Sequence, residues 1–156
     1  MKTNSRTTMP EHLLTRSRRL LPAVAMAVLI AGCGSMGAGT GTAGQVSLNG
    51  ANEVPAIVTT ATGSGMIRVA SDHTVSGSIS TSGIDGKAAH IHVAPKGSNG
   101  PVVVPLTKAA DGSWIVPEGA KLSDAQYASY IAGDMYVNVH SAANPAGEIR
   151  GQLRSN

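Results

Sequence analysis

Three histidines are the side chains of this chain best suited to hold an ion: His90 and His92, separated by a single residue, and His140 much later in the sequence. In a β-strand, alternate residues share a face, so a His-x-His pair sends both imidazoles to one side and leaves Ala89, Ile91 and Val93 for the other. A third imidazole from a neighbouring strand would complete a set of nitrogen ligands suited to copper or zinc. The same count puts Tyr136, Asn138 and His140 on one face, with Met135, Val137 and Val139 opposite. It likewise sets Glu148, Arg150 and Gln152 against Ile149, Gly151 and Leu153. Were these three strands adjacent, one polar face would collect three imidazoles, an amide, a carboxylate and a guanidinium.

That constellation supports two readings. In the first, His90, His92 and His140 ligate a metal, with Asn138, Glu148 and Arg150 as the supporting polar face. In the second, the histidines are scaffold: they hydrogen-bond across strands and to Glu148 and Asn138, while Glu148 and Arg150 form an ion pair worth at most about 1 kcal/mol if exposed. The other two histidines are not ligand candidates, since His73 sits in an expected turn and His12 in a segment expected to be removed. No catalytic residue is assigned. Ser141 follows His140, but adjacent strand residues face opposite ways, and no Gly-x-Ser-x-Gly elbow is present. Gly63-Ser64-Gly65 opens an apparent strand, and Gly97 to Gly100 reads as a turn without the lysine and helix of a phosphate loop.

Short period-two runs bounded by Gly, Pro, Asn and Asp position these residues. Strands are expected near Gln45–Leu48, Gly63–Ala70, Thr74–Thr81, Ala88–Val93, Val102–Leu106, Ser113–Val116, Met135–His140 and Glu148–Leu153, with Asp72-His73 as a hairpin turn. One short helix is expected late in the chain. Ser123 and Gln126 form a capping box, Leu122 and Tyr127 a staple, and Gly133 the stop. Its Tyr127, Tyr130 and Ile131 share a face that would pack on the sheet. With no phenylalanine and only one tryptophan and three tyrosines, the core falls to aliphatic residues. The expected fold is all-β, a Greek-key antiparallel sandwich or flattened barrel with one short helix.

The start of the chain reads differently. Lys2, Arg6, Arg16, Arg18 and Arg19 precede an apolar run, Leu20 to Ala31, which is too short to span about 30 Å of hydrocarbon comfortably. It ends in Leu29-Ile30-Ala31-Gly32-Cys33, with the chain's single cysteine last. This resembles the lipobox of bacterial lipoproteins, which implies cleavage before Cys33, acylation of its thiol and new amino terminus, and a membrane partner held through lipid. Gly34, where an Asp would signal retention, favours the outer membrane of a bacterial envelope. The expected organisation is a signal peptide over 1–32, a flexible Gly/Ser/Thr/Ala tether over 33–44 and one domain over 45–156. From Cys33 onward, seven basic residues face eight acidic ones, a net charge of −1. Nothing basic enough to suggest nucleic acid remains.

The domain also resembles a known module. Ala89-His90-Ile91-His92-Val93, followed by Gly97-Ser98-Asn99-Gly100-Pro101-Val102-Val103, is similar to the CHRD (chordin-type) domain. Leu48-Asn49-Gly50-Ala51-Asn52-Glu53-Val54-Pro55 resembles its opening, and Tyr136–Ser141 with Pro145–Leu153 its closing hairpin. The resemblance runs from about Gln45 to Leu153 and implies a β-sandwich without a settled activity. The His-x-His strand and the later Val-x-Val-His strand are also similar to metal-binding strands of copper-zinc superoxide dismutase. A His-rich bridging loop, an Asp placed for zinc and a disulfide pair are all missing, which argues against dismutase activity. The leading reading is a surface-tethered, non-enzymatic binding or structural module whose partner is an envelope or secreted protein. The alternative is a periplasmic copper- or zinc-binding protein using the three histidines, with a metal-dependent oxidoreductase behind both.

Overall fold

The computed structural model describes residues 44–155. The expected signal peptide, most of the expected tether and Cys33 lie outside the described residues. Nine strands and one α-helix follow in order: β1 (Gln45–Asn49), β2 (Thr62–Val69), β3 (Val75–Ser82), β4 (Gly86–Val93), β5 (Val102–Pro105), β6 (Thr107–Lys108), β7 (Trp114–Ile115), α1 (Asp124–Ala132), β8 (Met135–Ser141) and β9 (Ile149–Gln152). A 3-10 turn at Gly50–Asn52, capped by the Asn49 side chain, was not foreseen.

All the strands pair antiparallel in one sheet, ordered β5-β4-β8-β9-β1-β2-β3-β7-β6. β9 returns to lie beside β1, the closing move of a Greek key. The two edges are joined by the chain itself. β5 pairs with β4 at one end, β6 with β7 at the other, and only Leu106 separates them. Leu106 donates its N–H to the Ala89 carbonyl at 2.9 Å and buries its side chain, so the sheet comes close to closing as a flattened barrel. Closure removes the exposed edges that an open sheet presents.

Alternation places the core as expected. Ala89, Ile91, Met135, Val137, Val139, Ile149 and Leu153 are all buried on the inner face, with Val46, Leu48, Ile67, Ile79 and Trp114. The β2–β3 hairpin turns where expected, with His73 at φ +70° and the Asp72 side chain accepting from the Thr74 N–H. In α1, Ser123 and Gln126 cap reciprocally and Gly133 ends the helix at φ +81°. One expectation fails there: Ile131 is 52% exposed. The helix docks through Tyr130, whose hydroxyl donates to the Arg154 carbonyl. Ile131, about 100° further round the axis, is therefore lifted off the sheet.

Candidate functional site

The polar residues of β4, β8 and β9 do share a face, in register. His90 pairs with Asn138 and His92 with Tyr136 between β4 and β8. Asn138 in turn pairs with Arg150, and Tyr136 with Gln152, between β8 and β9. A β-bulge opposite His92 makes Val103 the extra residue of β5, a common device for re-aiming a side chain at the rim of a barrel.

This face is covered, which strand alternation alone does not predict. The Pro95–Pro101 loop folds over it. Arg150 donates to the Ser98 carbonyl at 2.9 Å and to Asn99 Oδ1 at 3.3 Å, and Gln152 donates to the Ala94 carbonyl at 3.1 Å. The Gly100 N–H reaches the Tyr136 hydroxyl at 3.1 Å. The segment after β1 closes the other side, where Asn99 donates to the Val54 carbonyl and Asn52 to the Arg150 carbonyl. Tyr136, Asn138 and Arg150 are buried as a result, each no more than 2% exposed.

The three imidazoles converge. One ligating nitrogen from each of His90, His92 and His140 lies within 4.8 Å of the others. His90 Nδ1 and His140 Nε2 are 3.0 Å apart. Two backbone carbonyls orient the set: His92 Nδ1 meets the Gly100 oxygen at 2.9 Å, and His140 Nδ1 meets the Pro145 oxygen at 3.1 Å. A carbonyl only accepts, so each Nδ1 must carry the proton and each neutral ring keeps its lone pair on Nε2. His140 Nε2 therefore accepts from the His90 Nδ1–H. His92 Nε2, buried, has no hydrogen-bond partner. A lone pair left unsatisfied inside a protein carries a free-energy cost, and a metal ion would remove it. Burial is the largest cause holding all three rings below the ordinary histidine range, and repulsion within the cluster adds to it at His90 and His92. Neutral imidazole is the ligating form. Metal–nitrogen bonds of about 2.0–2.1 Å at a tetrahedral angle separate nitrogens by about 3.3 Å, so the cluster can close on one ion once the His90 ring flips or changes tautomer and turns a lone pair, in place of its Nδ1–H, toward the other two.

Two expectations about the surrounding charges are corrected. No histidine bonds to Glu148 or Asn138 among the described residues. Glu148 precedes β9, where the φ of +135° at Gly147 breaks the strand alternation. Its carboxylate accepts from Ser141 and, at 2.8 Å, from Thr59, and the Ser141 bond is the main cause holding it below the ordinary range. Nor does Glu148 pair with Arg150. The guanidinium stacks over the Tyr136 ring at 3.4 Å and donates hydrogen bonds to the covering loop. The carboxylate on this face is instead Glu53, 7% exposed, with its Oε1 buried and unpartnered. Desolvation pushes its pKa up to about 7, against the pull of Arg150. Glu53 stood in the opening segment already singled out, but nothing in its spacing tied it to the histidines.

A groove of about 710 Å³ opens on the β1–β9 side, lined by Asn52, Arg150 and Gln152 together with Lys96 and Arg154 and without an imidazole. A family model described as the CHRD domain matches residues 44–153. No curated protein and no solved structure matches the chain.

Proposed function

The chain belongs to the CHRD family, and from that premise we propose that it is a metal-binding module of the bacterial envelope, tethered by lipid at Cys33, with His90, His92 and His140 as ligands. Family membership supports a non-enzymatic binding or structural module in general terms. The finer reading rests on one observation: three neutral-tending imidazoles converge, and the most buried of them leaves its Nε2 without a partner. The carbonyls behind His92 and His140 are the outer-shell contacts that fix tautomer and ring orientation in metal sites. Three protein ligands leave a fourth position for water or a partner's side chain. Nitrogen sites favour copper over zinc by the usual order of divalent affinities.

The test is metal content of the full chain, purified in detergent, after loading with copper or zinc and removal of excess. One equivalent is expected in the wild type and none in the folded His90→Ala, His92→Ala double variant. A folded wild type that retains neither ion would overturn the metal reading and leave the histidines as scaffold. Attention would then turn to an envelope or secreted protein partner.

A further inference from the structure

We propose that the three-histidine site selects cuprous over cupric ion, because a buried guanidinium is stacked behind it through Tyr136 while no carboxylate bonds to the imidazoles. This rests on the metal reading above and names the ion state that the site serves.

Three neutral imidazoles bring no negative charge to the ion they hold. A ligating carboxylate would offset part of a divalent ion's charge, and among the described residues no carboxylate bonds to any of the three imidazoles. Glu148 is held by Ser141 and Thr59, and Glu53 by Asn138. Arg150 lies on the other flank. Tyr136, on β8, sits between His92 on β4 and Arg150 on β9. Its ring stacks on His92 at 4.9 Å and 8° between planes, and the guanidinium carbon lies 3.4 Å from its centroid. Arg150 is 1% exposed, so water screens it little. A guanidinium does not give up its proton in a protein. Glu53, the acid coupled to Arg150, is itself pushed up to about 7 and so neutralises the guanidinium only in part near neutral pH.

An ion of charge +2 meets twice the repulsion of one of charge +1. At about 10 Å and an effective dielectric of about 20, one extra unit of charge changes a binding constant about tenfold. Cuprous ion, closed-shell and content with three neutral ligands, is the species this arrangement disfavours least.

The experiment is the midpoint potential of copper bound to the full chain in detergent, with cuprous and cupric affinities measured by chelator competition. The wild-type potential is expected above that of the aqueous copper couple. Arg150→Met should lower the cuprous-to-cupric affinity ratio about tenfold, and Arg150→Lys should restore most of it. A lost hydrogen bond alone would weaken both oxidation states together and leave the ratio unchanged. A wild-type potential at or below the aqueous couple, or a ratio indifferent to Arg150→Met in a folded variant, would overturn the proposal. Should Arg150→Met not fold, the wild-type potential decides. Uptake of neither copper ion would instead be the failure of the metal reading itself.

Discussion

At Glu53, burial and pairing pull in opposite directions, and burial prevails. The carboxyl rises from 4.5 to about 7 in the folded chain, so the folded state holds a proton that the unfolded state has released between those values. The stability this contributes is complete below pH 4.5 and is lost as pH rises through 7. At about 1.4 kcal/mol per unit, ionising Glu53 costs about 2–3 kcal/mol once the covering segment relaxes. Glu53→Gln should therefore be more stable than wild type by about 2 kcal/mol at pH 8, with no gain at pH 4.5, as measured by urea unfolding. A variant less stable at pH 8 would mean that the fold depends on the charged form. The histidines have the opposite sign. Their folded values lie below 6.5, so the stability they contribute is present above 6.5 and lost as pH falls through the lower folded values. In Glu53→Gln, unfolding free energy should rise with pH up to about 6.5 and then level off. The histidines themselves were legible from their types and spacing. Glu53 was not, because a residue on a loop acquires a neighbour only when the loop folds over the sheet.

The strands, their faces, the hairpin at Asp72-His73 and the capping box of α1 were all readable locally, since each depends on residues a few positions apart. Ser123→Ala removes the side-chain acceptor for the Gln126 N–H and should cost about 1 kcal/mol in thermal or urea unfolding. The loop over the site is another matter. Gly97-Ser98-Asn99-Gly100-Pro101 reads as a turn, yet it holds His92 by a carbonyl and Arg150 by two acceptors. A side chain at Gly100 would collide with the Val93 carbonyl, so Gly100→Ala must shift this loop. It should weaken metal binding about 10- to 100-fold, the usual effect of disturbing an outer-shell contact, while the domain still unfolds cooperatively. Unchanged binding would mean that the Gly100 carbonyl does not orient His92.

Closure of the sheet is a property of the molecule as a whole. Trp114 on β7 is 2% exposed and lies against Gly86 on β4, where a Cβ would come within 2.9 Å of the indole. It fills the barrel where the two ends of the sheet approach each other. Trp114→Ala should cost about 3–5 kcal/mol, seen as a lower denaturation midpoint and faster amide exchange in β4 and β7. At the same scale, Cys33→Ser should release the protein from the membrane fraction of a bacterial host and abolish incorporation of labelled palmitate. Retention in the membrane would contradict the lipid tether.

The sequence by itself determined the period-two strands, the helix caps, the inner and outer faces of the three strands that carry the site up to Glu148, and three histidines able to meet on one of those faces. These follow from alternation and capping, which act between near neighbours in the chain. Only the tertiary structure decided that the polar face is roofed by two loops, that Glu53 and not Glu148 is its carboxylate, and that Arg150 is buried against Tyr136 and not paired at the surface. The physical reason is burial. It depends on which distant segments lie over a residue, and it sets the protonation of Glu53, the neutrality of the imidazoles and the reach of the Arg150 charge.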